Sequence, residues 1–149
     1  MTTNTELYEQ DLYSWCLTTA ALLRDGKWHE VDLAAVAEEL ESMGRSHARE
    51  LGNRLEVLVM HLLKWRYQPS GREDSHSWYD TILEQRGQLQ ALLTESPSLR
   101  RQVPDLLTVR YPRARQRAIG ETRLTTAAFP ETCPWTADQI LDEDFWPSA

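Results

Sequence analysis

The stretch that decides the fold is residues 32–69, which read DLAAVAEELESMGRSHARELGNRLEVLVMHLLKWRYQP. Apolar side chains recur there at three- and four-residue spacing, which is the period of an amphipathic α-helix. Asp32 is a natural N-cap, and Pro69 cannot continue a helix. The pattern therefore predicts one long helix of roughly 50 Å at 1.5 Å per residue. A kink or a short break is expected only near Gly44 or Gly52.

Within this helix, residues 57–63, VLVMHLL, are apolar on every side except at His61. A helix with that pattern is buried all round, either by the rest of its own bundle or by a second subunit. Short neighbouring helices leave apolar surface uncovered, and a two-fold dimer is the commonest closed assembly. We expect a homodimer through this second helix, although burial within one chain would satisfy the same pattern.

The segment before the long helix also has helical spacing. An apolar stripe predicts a first helix near residues 5–25, with Asn4 or Thr5 as its N-cap. Gly26 supplies the stop, because glycine adopts the left-handed conformation that ends many helices.

Residues 68–77 form a polar connection after the long helix. Either Ser75 or Ser77 can cap a third helix, which ends before Pro97. Ser96 as N-cap, with Pro97 at the first helical position, then predicts a further short helical start.

A later helix is predicted from Pro104 to about Gly120, with a kink or an early end at Pro112, which has no backbone donor. The tail, residues 122–149, is largely loop, and Thr136 caps one short helix within it.

Composition favours the same fold class. The 149 residues include 21 Leu but only 9 Val plus Ile, and Gly plus Pro number 13. These counts favour helices over many short strands and turns. The sequence therefore predicts a single all-α domain spanning 1–149, a compact bundle of about four to five helices with one long central helix.

Charge and hydropathy exclude several classes of partner. The net charge of -7 disfavours nucleic acid and an anionic membrane as the main partner. No apolar run approaches the ~18 residues that span a bilayer, and the first twenty residues lack a basic, then apolar, leader pattern. Cys16 and Cys133 suit neither a disulfide framework nor a zinc site. We expect a cytoplasmic protein without a membrane, metal or cofactor partner.

Five blocks in order resemble the bacterial domain of unknown function family 29. They are YEQDLYSW, AEELESMG, HLLKWRYQP, ESPSLRR and CPWTADQILDEDFWP, and from first to last they span nearly the whole chain. The most specific block is HLLKWRYQP at 61–69. The resemblance implies a compact helical fold, and it implies neither an activity nor a catalytic residue.

His61 is the first candidate functional residue. A histidine beside an apolar stripe is usually a hydrogen-bonded core group, although it can also carry protons or bind a metal. Glu39 and Glu41 lie about 100° to either side of Leu40, so they do not converge on one face. An enzyme or metal site combining His61 with Glu39 and Glu41 is therefore an alternative, not the expectation.

An arginine stripe is the second candidate. Arg110, Arg113 and Arg117 share one helical face at spacings of three and four, as a phosphate-binding surface would. The same spacing fits pairing with acids, for which the sequence offers Glu38, Glu39 and Glu41. The overall acidity favours pairing, and nucleic-acid binding stays an alternative.

Trp78 is a further candidate, because tryptophan beside a polar connection is either a core residue or an interaction hot spot. No nucleophile motif or phosphate-binding glycine loop is present. The sequence therefore favours a non-enzymatic interaction or regulatory module with an unknown protein partner.

Overall fold

The computed structural model describes residues 2–74 and 76–148, apart from the side chain of Asp74. Within these residues the regular elements are helices and no β-strand occurs, which confirms the all-α prediction. The α-helices are α1 Asn4–Gln10, α2 Leu12–Arg24, α3 Leu33–Tyr67, α4 Ser70–Asp74, α5 His76–Glu95, α6 Val103–Thr122 and α7 Ala137–Leu141. Short 3₁₀ helices cover Trp28–Glu30, Pro97–Gln102 and Thr126–Ala128.

The long central helix is confirmed. α3 is continuous over 35 residues, and neither Gly44 nor Gly52 interrupts it. Asp32 caps it as predicted, because its Oδ1 accepts from the backbone N–H of Ala35 at 3.1 Å. Two compact units divide the chain after Ser46, so the first turns of α3 belong to one unit and its remainder to the other.

The N-terminal unit, residues 1–46, departs from the single helix predicted near 5–25. Asp11 has φ -153° and ψ 89°, which are not helical angles, so α1 ends there. The carboxylate of Asp11 then accepts a hydrogen bond from the N–H of Ser14 and caps the start of α2. The N-cap of α1 is Thr3, paired with Glu6 in a capping box, instead of Asn4 or Thr5.

Asn4 is used for tertiary contacts instead. Its Oδ1 accepts from Nε1 of Trp15 at 3.1 Å and from the backbone N–H of Asp32 at 2.9 Å. Its Nδ2 donates to Oγ1 of Thr19 at 2.9 Å. The amide therefore ties α1 to α2 and to the start of α3 inside this unit.

The C-terminal unit, residues 47–149, contains the main core. α3 contributes the apolar run at 57–63, and α5 and α6 cover it with side chains that are themselves buried. The principal core residues are Leu51, Leu55, Leu58, Leu62, Leu63, Ile82, Leu89, Leu93, Val103, Leu107, Ala114 and Ala118. Most of the run that motivated a dimer is thus buried inside one chain, with Val57 and His61 half-buried, and the dimer stays a prediction.

The polar connection after α3 differs from the prediction. It contains the one-turn helix α4, and α5 begins at His76. Ser77 lies within α5 and is therefore not its N-cap, while Ser75 lies outside the described residues.

The prediction of a kink or early end at Pro112 is corrected in part, because α6 continues through this residue to Thr122. Pro112 and Thr108, whose carbonyl would have accepted the missing N–H, are both exposed. Water can solvate that carbonyl, so the cost of the lost bond is small enough for the helix to persist.

The helical start predicted at Ser96 and Pro97 is present as the 3₁₀ helix Pro97–Gln102. Ser96 is its N-cap residue, but its side chain makes no capping hydrogen bond.

The tail is irregular with one short helix, as predicted. Thr136 caps α7 in a capping box with Gln139. Helix α6 anchors the irregular part through backbone carbonyls, since the Tyr111 hydroxyl donates to Pro130 O at 2.6 Å. Arg115 donates in the same way to Thr126 O at 2.8 Å and to Phe129 O at 3.1 Å.

No helix among the described residues combines the length and the apolar character that crossing a bilayer requires.

Candidate functional site

Two contacts show that α3 and α6 run side by side in the same direction. Arg110 on α6 donates to Oδ1 of Asn53 on α3 at 2.8 Å. Eleven residues further along each helix, Lys64 donates to Oε2 of Glu121 at 2.6 Å. This parallel alignment places the charged candidates of both helices along one seam.

The arginine stripe shares one acid, Glu56, whose side chain is only 5% exposed. Arg117 Nη1 donates to Oε2 at 2.9 Å, and Arg110 Nη1 donates to Oε1 at 3.3 Å. Arg113 Nε lies 3.5 Å from Oε2 and is largely exposed. The sequence suggested the acids near Glu39 as partners, but the structure supplies Glu56 instead.

Lys64 is the second charged group of the seam, and its side chain is buried. Its Nζ contacts Glu121 and lies 5.1 Å from the ring centroid of Trp78. The ammonium lowers the pKa of the Glu121 carboxyl below its usual range, mainly through their hydrogen bond. Trp78 is half-buried, and a Cβ on Gly71 would overlap its ring, so this tryptophan packs within the chain.

His61 lies on the same side of α3 as this seam and is half-buried. Its Nδ1 donates to Val57 O at 2.8 Å, since a carbonyl can only accept. Burial lowers the pKa of His61 below its usual value, and the nearby Lys64 ammonium acts in the same direction. Burial therefore favours the neutral imidazole, and Nε2 has no hydrogen-bond partner among the described residues.

The two acids proposed to work with His61 have partners within the N-terminal unit. Oε2 of Glu39 accepts from the Tyr8 hydroxyl at 2.7 Å, which raises the pKa of Tyr8 to about 12. Glu41 lies 3.8 Å from Arg45 in an exposed pair one helical turn away.

The charged seam therefore consists mostly of groups that neutralise one another. Among residues 2–74 and 76–148, no set of three or more His, Cys, Asp or Glu side chains is arranged to hold a metal ion. The geometry suits a structural network between α3 and α6, because each carboxylate already accepts from a cation.

The feature that the sequence analysis missed is an apolar face of α2. Its exposed members fall within about 140° of the helix circumference at 100° per residue; Tyr13 and Leu17 lie opposite the buried Trp15, and Leu12 and Leu23 lie nearer to it. We call this the α2 face, and its members are Leu12, Tyr13, Leu17 and Leu23. Tyr13 is 77% exposed and Leu17, one turn further along the helix, is 58% exposed, values uncommon for large apolar residues that lie side by side.

The signal for this face was present in the sequence. The segment LYSWCLTTAALL carries apolar side chains around the whole helix, so one stripe cannot bury them all. The same unit exposes a second apolar stripe at the start of α3, formed by Leu33, Leu40 and Met43.

The α2 face lies in an acidic unit. Residues 1–46 contain nine Asp and Glu against three Lys and Arg, which gives a net charge of -6. An apolar patch on a unit of net negative charge favours partners that present apolar side chains beside Lys or Arg.

Comparison with known families finds one match. The model of DUF29, a domain of unknown function, matches residues 7–146. No curated protein and no solved structure matches this chain.

Proposed function

This chain belongs to the DUF29 family, and from that premise we propose that it is a non-enzymatic protein-interaction module that binds its partner through the α2 face. The observation that carries the proposal is the exposure of Tyr13 and Leu17, which lie one turn apart on that face. Contiguous exposed apolar side chains on a protein surface mark sites of protein binding. Tyrosine is also among the residues most enriched at binding hot spots.

The charged candidates give less support to catalysis or to nucleic-acid binding. Arg110 and Arg117 already donate hydrogen bonds to the Glu56 carboxylate, so a phosphate would have to displace this buried group. His61 uses Nδ1 within its own helix, and the Lys64 ammonium is paired with Glu121. The α2 face, in contrast, has no cover within its own unit.

The proposed partner is an amphipathic helix of another protein, with Lys or Arg beside its apolar side chains. A second copy of this chain would set one -6 unit against another, which opposes association. A basic helix is attracted by the same negative charge, and its apolar side chains can cover Tyr13 and Leu17.

Site-specific photocrosslinking in the native host tests the proposal. A benzoyl-phenylalanine at position 13 should crosslink to one protein that the same group at position 109 does not capture. Val109 is the matched control, since it is 72% exposed on a helix of the other unit. The captured protein is then purified, and the Kd of its complex with this chain is measured by calorimetry.

Leu17→Asp should weaken that Kd at least tenfold while leaving the helical circular dichroism unchanged, and Val109→Asp should leave the Kd unchanged. Added salt should weaken binding, because a basic partner meets an acidic unit. Crosslinks that join only copies of this chain, or equal capture from positions 13 and 109, would contradict the proposal.

A further inference from the structure

Arg86 is a buried arginine whose guanidinium lacks most of its hydrogen bonds. The residue is 1% exposed on α5 of the C-terminal unit. Its Nε donates to Ile140 O at 2.9 Å, while Nη1 and Nη2 have no hydrogen-bond partner among the residues that the structure describes. Four N–H donors of a permanently charged group are thus unused inside the fold.

Burying such a cation destabilises the folded chain unless acceptors or a counter-ion replace the water that it loses. A buried cation normally has a counter-ion and a full set of acceptors. Burial lowers the pKa of Arg86, and the negative charges of Asp142 and Glu143 only partly oppose this effect. The Trp146 ring, with its centroid 5.5 Å from Cζ, supplies a cation–π contact but accepts no N–H bond in the plane of the guanidinium.

A cavity of about 370 Å³ lies beside this arginine, which forms part of its wall. That volume is at the lower end of the range for small-molecule sites. Its polar lining includes Gln90 of α5, Arg100 of the following 3₁₀ helix, and acids of α7 and the residues after it.

The cavity carries charges of both signs. Arg86 and Arg100 are positive, whereas Asp138, Asp142, Glu143 and Asp144 are negative. These acids are not among any described set that converges on a metal position. A simple anion would be repelled by the four acids, and a simple cation would leave the Nη donors of Arg86 without an acceptor, so the lining suits one small molecule that carries both charges.

We propose that this cavity binds a small zwitterion of the α-amino acid class, with its carboxylate on the Arg86 guanidinium and its ammonium beside the acids at 142–144. A carboxylate matches the paired Nη donors of arginine in a bidentate geometry. Because the Nη atoms of Arg86 are buried, a neighbouring group such as the Trp146 ring has to move aside for the carboxylate to reach them. The site is independent of the α2 face.

Side-chain NMR of the ¹⁵N-labelled full chain tests the proposal directly. The Arg86 Nε–H resonance, assigned through Arg86→Lys, is followed while the standard L-α-amino acids are added one at a time at millimolar concentration. At least one should shift this resonance in a saturable way. Its N-acetyl derivative and the amine that lacks its carboxylate should each bind at least tenfold more weakly.

Asp142→Asn should weaken binding of the same amino acid at least fivefold, and Glu84→Gln, an exposed acid on α5 outside the cavity, should leave it unchanged. If Arg86→Lys fails to fold, assignment by through-bond experiments on the unsubstituted chain replaces it. The proposal is overturned if no amino acid moves the resonance. It is equally overturned if the amine and the N-acetyl compound bind as tightly as the parent.

Discussion

Arg117 Nη1 and Glu56 Oε2 are 2.9 Å apart, but the two side chains lie in different surroundings. The carboxylate is buried, whereas the guanidinium is two-fifths exposed. Water already reaches the guanidinium, so it can solvate the arginine if the acid is lost, whereas the acid, only 5% exposed, depends on the arginines to compensate its charge. The Arg117–Glu56 contact therefore compensates the charge of the acid more than it compensates the charge of the arginine.

Loss of the cations should destabilise the fold more than loss of the acid. The double variant Arg110→Ala with Arg117→Ala leaves the buried carboxylate with only the exposed Arg113, whose Nε lies 3.5 Å from Oε2, and should cost about 3–5 kcal/mol in free energy of unfolding. Glu56→Gln leaves partly solvated arginines and should cost about 1–2 kcal/mol. Urea unfolding at neutral pH measures both.

Arg113→Ala is the matched control, since Arg113 is mostly exposed, and it should change stability by less than about 0.5 kcal/mol. Equal costs for Glu56→Gln and the double arginine variant would show that the buried charge is not the dominant effect.

Replacing the two glycines of α3 by alanine should have different effects on the stability of the protein. A Cβ at Gly44 has no neighbour within 4 Å, so Gly44→Ala should stabilise by about 0.5–1 kcal/mol through helix propensity. A Cβ at Gly52 would lie 2.9 Å from Nη2 of Arg110 and displace that side chain from Glu56. Gly52→Ala should therefore lose this gain or destabilise the protein.

Thermal unfolding monitored by circular dichroism compares both glycine variants with the unsubstituted chain. Gly87→Ala on α5, where a Cβ also has open space, is a second positive control. If Gly52→Ala stabilises as much as Gly44→Ala, the close approach of Arg110 does not constrain position 52.

The core assignment of residues 57–63 predicts a large cost for truncation there. Leu58 is fully buried, so Leu58→Ala should lose about 2–5 kcal/mol by denaturant unfolding. Leu40 is exposed on the same helix, and Leu40→Ala should change stability by less than about 0.5 kcal/mol. A loss below about 1 kcal/mol for Leu58→Ala would contradict the central position of this run.

His61 should make stability depend on pH. Its pKa in the folded chain is lowered by burial, so below the ordinary value of 6.5 the unfolded chain binds more protons than the folded one. The stabilisation is present above pH 6.5 and is lost as the pH falls toward the folded-state pKa. Unfolding in urea at about pH 7.5 and about pH 5.5 measures this loss.

His61→Leu should be tolerated or stabilising, and it should remove the part of the pH dependence that arises between these two values. His29, exposed in a 3₁₀ helix of the N-terminal unit, provides the control His29→Gln, which should retain that dependence. An unchanged pH profile in His61→Leu would contradict the assignment.

Local signals predicted most of the helices. Asp32, Gly26 and Thr136 act on neighbouring backbone groups, so their roles as cap or stop can be inferred from a few residues. The cap of α1 was assigned wrongly because the Asn4 amide has partners 11 to 28 residues away. Nothing in the local sequence indicates which residues those are.

The charged residues show the same limit more strongly. The periodicity of Arg110, Arg113 and Arg117 identified a stripe, but the choice of Glu56 as its acid depends on the parallel alignment of α3 and α6. Likewise, Arg86 is one polar residue among several on α5, and only the position of α7 buries it against Ile140. Tertiary geometry, not periodicity, determines both.

The anchoring of the irregular tail has a consequence for how its sequence can change over time. Tyr111 and Arg115 bind main-chain oxygens of residues 126–130, and every amino acid supplies such an oxygen. Apart from the buried Phe129, these tail positions can therefore accept many substitutions without losing their attachment. The constraint on the conformation of the tail falls on α6, so the tail can drift in sequence while its path over the bundle is preserved.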